Sequence, residues 1–211
     1  MRILAVSDEE CPAFWDYYTP GKLREYDLIL SCGDLNAEYL SFLVTVARCP
    51  LLYVHGNHDT SYGESPPEGC DCIDDKLVVY NGVRILGLGG CMRYHPGAHQ
   101  YTEREMRRRI QKLRFKLWRA GGVDIVVTHA PPKGIGDSDD PAHWGFQALR
   151  DLLDQYHPQY LLHGHVHLRY GVLQRINEHQ GTQVVNTYER FSFDLPDREV
   201  PDGKLGQLIW H

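Results

Sequence analysis

The sequence predicts an α/β protein, on three observations. Short apolar runs recur along the chain and stop abruptly at polar clusters. Stretches of helical period lie between those runs, and no repeat, low-complexity tract or polar linker divides the chain. With 211 residues, 42% of them hydrophobic and 24% charged, there is material for one sizeable core, so residues 1–211 read as a single domain.

In chain order, residues 2–7 form an apolar run that ends at Asp8, and residues 26–31 form a second that ends at Gly33-Asp34. Residues 37–48 have helical composition. A third apolar run, 51–55, stops at Gly56-Asn57-His58-Asp59, and another closes near Leu88. Residues 103–120 give the clearest helix: Thr102 and Glu105 stand at capping-box spacing, Met106, Ile110, Leu113 and Leu117 form a stripe, and Gly121-Gly122 ends it. Residues 123–128 run into His129, a helix is expected over 146–155, and 160–163 run into Gly164-His165-Val166-His167. These runs are rich in Leu, Ile, Val and Tyr, as buried strands are. Alternation with helices implies parallel crossover units in the first half. The short strands expected at 172–176, 183–186 and 205–210 point to a more antiparallel second half. In open α/β sheets, sites form beyond the carboxyl ends of strands, which is where all five polar clusters fall.

A net charge of -6 argues against general affinity for nucleic-acid backbone. The first residues are apolar too briefly for a leader or a membrane span, so a cytoplasmic, membrane-free location is expected. No pattern sets an oligomeric state. Six cysteines without an export signal are expected reduced. Cys70 and Cys72 would make half of a zinc site, but no second close pair completes it, so they read as loop cysteines.

Taken singly, the polar clusters are ambiguous. Gly33-Asp34 and Gly56-Asn57 have the composition of turns, and His129 suits a strand-end packing role. Only the pair His165 and His167 leans towards metal by itself. The ordered set Asp8-x-Glu10, Gly33-Asp34, Gly56-Asn57-His58-Asp59, Thr128-His129 and Gly164-His165-Val166-His167 resembles the motif series of calcineurin-like metallophosphoesterases. The resemblance runs from residue 8 to 167.

That resemblance implies a two-sheet β-sandwich flanked by helices, in the four-layer metallophosphoesterase-like architecture. It implies two divalent metal ions, one held by Asp8, position 10, Asp34 and His167, the other by Asp34, Asn57, His129 and His165. Carboxylate, amide and imidazole donors suit manganese first, with iron, zinc or cobalt as alternatives. The implied reaction is in-line attack on a phosphomonoester or phosphodiester by a hydroxide shared between the metals, with His58 protonating the leaving group. Asp59 is expected to orient His58. A small phosphoester is the expected substrate. The alternatives are a metal-binding interaction module with weak or no catalysis, and a nuclease.

Position 10 departs from the family's usual Asp-x-His. In an extended strand end, residues 8 and 10 share a side, so Glu10 rather than Glu9 is the expected ligand, with capping or a salt bridge as its other reading. Several residues stay open between site and scaffold. Arg93 suits a phosphate oxygen or an ordinary turn, and Trp15, Tyr17 and Tyr18 suit a substrate-stacking mouth or, preferably, core packing. Asp137, Asp139, Asp140 and His143 suit partners for the imidazoles or a surface loop. The basic helix of Arg104, Arg107, Arg108, Arg109, Lys112, Arg114, Lys116 and Arg119 reads as a solvated face before it reads as an RNA surface.

Overall fold

A computed structural model of the chain describes residues 1–168 and 174–196. The first sheet holds β1 (Arg2–Val6), β2 (Leu28–Ser31), β3 (Leu51–Tyr53), β4 (Asp71–Cys72) and β13 (Phe191–Asp194), in the order β13-β1-β2-β3-β4. Strands β1 to β4 are parallel and β13 runs antiparallel to β1. The second sheet has the order β11-β12-β10-β9-β6-β5. Its strands are β5 (Lys76–Tyr80), β6 (Val83–Leu88), β9 (Ile125–Thr128), β10 (Tyr160–His163), β11 (Ile176–His179) and β12 (Thr182–Asn186). Four parallel strands form its middle, and β5 and β11 pair antiparallel at its edges. A two-residue ladder joins β7 (Cys91–Met92) to β8 (Gln100–Tyr101).

Period-two alternation sorts the strand side chains into layers. Ile3 and Ala5 of β1, Leu28 and Leu30 of β2, Ile85 of β6, Ile125 and Val127 of β9, and Leu162 of β10 fill the space between the sheets. Their neighbours Leu4, Val6 and Ile29 face the other way and pack with Tyr39, Leu40 and Leu43 of α1 (Ala37–Ala47). On the outer side of the second sheet, Leu86, Leu88, Val126 and Leu161 pack with α2 (Glu103–Arg119) and α3 (Gln147–Tyr156). The result is the four-layer order α, β, β, α. Each fully buried Leu or Ile contributes about 1.5–3 kcal/mol by leaving water.

The helix ends follow local chemistry. Asn36 caps α1 by accepting the Glu38 N–H at 2.9 Å. The capping box of Thr102 and Glu105 starts α2, and Gly121 and Gly122, at φ 72° and 113°, follow its end. The Glu103 carboxylate also accepts the first N–H groups of α3, from Gln147 at 3.0 Å and Ala148 at 2.6 Å.

The second half is the more antiparallel one, as its short strands suggest, with β11 antiparallel to β12 and β13 antiparallel to β1. Strand β12 itself lies parallel to β10. Of the strand expected at 172–176, residues 172–173 lie outside the described residues and Ile176 opens β11; 205–210 also lies outside the described residues. The β5–β6 hairpin turns at Asn81-Gly82, both at positive φ (47° and 77°), as its twist demands. Among the described residues no helix is long and apolar enough to cross a membrane.

Gly33 stands at φ 93°, and a Cβ there would meet Gly56 N at 2.3 Å. Gly33→Ala is therefore expected to lower the free energy of unfolding by about 3 kcal/mol in urea titration. Gly21→Ala, at φ 90° with nothing within 4 Å, is expected to lose only about 1 kcal/mol.

Candidate metal centre

The carboxyl ends of β1, β2, β3, β9 and β10 meet at one edge of the sandwich. The polar residues after them are turned sharply: Asp8, Asp34 and His165 stand at φ 63°, 57° and 66°. Asp and His tolerate this left-handed region better than most side chains, and the turn folds each one back over its strand end. Glycines allow the close approach. A Cβ on Gly56 would collide with Asp34 Oδ1 at 2.0 Å, and one on Gly164 with Asp8 Oδ2 at 2.4 Å.

His129 is completely buried at the centre of the cluster. Its Nδ1–H donates to the Cys32 carbonyl at 2.8 Å, which fixes the ring and leaves Nε2 as the inward nitrogen. Nε2 stands 3.1 Å from Asn57 Oδ1 and 3.2 Å from Asp34 Oδ2. One nitrogen lone pair facing two oxygens is an arrangement that needs a proton or a cation between them. His165 donates its Nε2–H to the Ala142 carbonyl at 2.7 Å, which leaves Nδ1 as its lone-pair nitrogen. Asp34, His129 and His165 offer ligand atoms that all lie within 4.8 Å of one another. The donors match a divalent ion bound by oxygen and nitrogen.

Burial works against the charge of both partners, but their mutual attraction wins. His129 is pushed up to about 9 by the neighbouring Asp34 carboxylate. Asp34 is lowered to about 2, chiefly by His129 acting against burial. Asp8 lies beside this pair, and its two oxygens accept the His165 N–H at 2.9 and 3.1 Å. Its carboxyl is raised by burial.

The structure thus brings Asp34, Asn57, His129 and His165 together, with Asp8 against them. Glu10 and His167 stand outside the three-residue cluster. The His167 ring lies 5.0 Å from the Tyr188 ring. The geometric ground for Glu10 does not hold: β1 ends at Val6 and Asp8 is left-handed, so strand alternation does not continue through residue 10. Its neighbour Glu9 accepts a hydrogen bond from the Tyr188 hydroxyl.

His58 is the exposed member, with 77% of its side chain open and Nε2 3.9 Å from Asp34 Oδ2. Its backbone N–H donates to Asp34 Oδ1 at 2.7 Å. Asp59 does not orient it as expected. That carboxylate is buried and turned inward, where Oδ2 accepts the N–H groups of Gly56 at 2.7 Å and Asp34 at 2.9 Å. Burial, the largest influence, raises Asp59 to about 6. Two backbone donors left by adjoining turns recruit the carboxylate before an exposed imidazole can.

Several open residues resolve as scaffold. Arg93 donates to the Gln100 carbonyl and to Glu105 at 3.0 Å, and so is not aimed at a phosphate. Trp15 and Tyr18 pack edge-on against Phe42 at 5.0 and 5.2 Å. In the basic helix, Arg107 pairs with Asp151 at 2.9 Å and buried Arg109 with Asp75 at 2.7 Å. The loop of Asp140 and His143 does reach the site, through the Ala142 carbonyl and a His143 ring 5.0 Å from that of His165. Tyr94, whose hydroxyl lies 3.4 Å from Asn57 Nδ2, carried no signal in the sequence.

Residues 1–169 match the family model for calcineurin-like phosphoesterases. A UPF0046 protein of Caenorhabditis elegans is 26% identical over 183 residues, covering 72% of this chain and 60% of its own. A lariat debranching enzyme of Danio rerio is 24% identical, covering 71% of this chain and 36% of the enzyme. The chain thus spans about 60% of the first relative's length and about a third of the second's. Among solved structures, TT1561 of Thermus thermophilus superposes with a TM-score of 0.58 at 15% identity, over 89% of both chains. GAP50, the anchor in the inner membrane complex of Plasmodium, gives 0.52 at 12% identity over 88% of this chain and 70% of its own. At such identities the superpositions speak for the fold.

Asp59→Ala leaves two buried N–H groups without a partner, and urea titration is expected to show a loss of roughly 2–4 kcal/mol. Exposed Glu64→Ala should stay within about 0.5 kcal/mol. Because His129 holds its proton below about 9, an ion entering the cluster at pH 7 must displace that proton. Apparent metal affinity is therefore expected to rise about tenfold per pH unit towards pH 9. Calorimetric titration in two buffers of different ionisation enthalpy should report one proton released.

Proposed function

The chain belongs to the calcineurin-like phosphoesterase family, and from that premise we propose that it is a metal-dependent hydrolase of phosphomonoesters or phosphodiesters. The observation that carries this reading is His129 Nε2, held by the Cys32 carbonyl so that it faces Asp34 and Asn57 across 3.2 and 3.1 Å. Asp34, Asn57, His129 and His165 would hold one divalent ion. Asp8, Asp34 and His167 would hold the second. Manganese suits the oxygen-rich set, with iron, zinc or cobalt as alternatives. Bound ions supply Lewis acidity to the phosphoryl oxygens and activate water near neutral pH.

The chain's own groups do the rest. Asp34 would serve both ions; Asp59 accepts its backbone N–H, and the His58 backbone N–H donates to its Oδ1. His58 lies at the exposed lip of the cluster, where its imidazole can meet a leaving-group oxygen and give it a proton. The Cys32 and Ala142 carbonyls keep the two inner imidazoles in the tautomers that leave a nitrogen lone pair inward.

The similarity to lariat debranching enzymes supports a second reading, in which the phosphodiester belongs to a nucleic acid. The internal pairing of Arg107 and Arg109 and the net charge of -6 weigh against a broad backbone-binding face.

With added Mn²⁺, the protein is expected to hydrolyse p-nitrophenyl phosphate or its bis ester. His58→Ala should lower kcat about 10²–10⁴-fold while metal content stays unchanged. Asp34→Asn should lose both metal and activity. Equal rates for the three proteins would sink the proposal.

A further inference from the structure

A second group of metal-ligating side chains stands next to the Gly56-Asn57 turn, distinct from the group of Asp34, His129 and His165. His55, Asp74 and His99 offer ligand atoms that all lie within 4.8 Å of one another. Cys72 adds a thiol, its Sγ 3.8 Å from His55 Nδ1. We propose that His55, Cys72, Asp74 and His99 form a mononuclear site for a zinc-class divalent cation, independent of the phosphoesterase centre.

The donor set fits such an ion. A thiolate and a carboxylate balance two positive charges, and two neutral imidazoles complete a four-coordinate shell of the kind zinc takes. Ligands on a tetrahedral zinc, with bonds of about 2.0 Å to nitrogen and 2.3 Å to sulfur, stand roughly 3.5 Å apart. The separation of Cys72 and His55 is close to that value. His55 Nδ1 and Asp74 Oδ2 are 2.6 Å apart and share a hydrogen where the ion would sit. Binding therefore releases this proton together with that of the Cys72 thiol, and opens the pair by roughly 0.7 Å. The His99 ring stacks on His55 at 4.3 Å and 6°, and must tilt to aim its nitrogen inward.

The surroundings support the arrangement. Asp74 Oδ1 accepts the Gly89 N–H at 2.7 Å and faces the Arg109 guanidinium at 4.0 Å, while Oδ2 accepts the His55 backbone N–H at 3.4 Å. Oδ2 is thereby presented to the cluster, as outer partners present a ligating carboxylate. Gly89 is required there, since a Cβ would meet Asp74 Oδ1 at 2.4 Å and His55 O at 2.5 Å. His99 is held at φ 52°, a conformation that costs a non-glycine residue energy and that recurs where a side chain has a task. The four residues come from three segments, Cys72 and Asp74 sharing one. His55 follows β3, Cys72 ends β4, Asp74 bridges to Gly87 of the second sheet, and His99 precedes β8. An ion there would clasp the two sheets together and hold the turn that carries Asn57.

Cobalt tests the site without reading activity, so its outcome is separate from that of the proposed function. The protein is stripped with a chelator and titrated with Co²⁺. Thiolate-to-cobalt charge-transfer absorbance is expected, which the oxygen and nitrogen donors of the other centre do not produce. The band should fall at least tenfold in Cys72→Ser and in His99→Ala, keep its intensity in Asp34→Asn, and bleach when Zn²⁺ is added. No band in the wild-type protein overturns the proposal. So does a band that survives both Cys72→Ser and His99→Ala, including one that disappears only in Cys70→Ser.

Discussion

The buried His129 ring ties the two sheets together at the edge where the chemistry gathers. It follows β9 in the second sheet, yet its Nδ1–H donates to Cys32, which follows β2 in the first. Its other nitrogen faces Asp34 and Asn57, which follow β2 and β3. The imidazole thereby sets the relative position of three strand ends. A polar ring fully removed from water persists only when both nitrogens are satisfied, so the site and the packing of the sheets depend on the same contacts.

Around that ring the backbone is bent hard. Asp8, Asp34 and His165 occupy the left-handed region directly after their strands, and Gly33, Gly56 and Gly164 let neighbouring loops approach to distances no side chain would allow. Asp59 acts in this scaffold, gathering the N–H groups of Gly56 and Asp34 on one oxygen. Asp8, Asp34 and Asp59 crowd a buried region with acidic groups whose burial opposes ionisation. His129 offsets part of that charge, and divalent cations would offset more.

The main strands and helices were legible from residues close in sequence, and their arrangement as a sandwich was implied by the resemblance of the motif series. Strand alternation sends Ile3 and Ala5 one way and Leu4 and Val6 the other, and Thr102 with Glu105 marks the start of α2. The type of chemistry was legible through the resemblance of the ordered motif series, and because each motif follows a strand end, Asp34, Asn57, His129 and His165 arrive together. Side-chain direction beyond a strand end was not. The left-handed turn at Asp8 removed the alternation argument for Glu10, and the inward turn of Asp59 detached it from His58. Cys72 read as a loop cysteine because the imidazoles of His55 and His99, its prospective partners, come from other segments.

The sequence by itself determined the main strands and helices and the residue types that stand at their ends. These follow from hydrophobic periodicity and capping, which act over a few residues. Only the tertiary structure decided which carboxylate faces a cation and which holds backbone, which nitrogen of each imidazole looks inward, and whether distant residues such as His55 and His99 meet. Those outcomes depend on competition among buried polar groups brought together by strand packing. Each donor and acceptor settles with the partner that best replaces the water it lost.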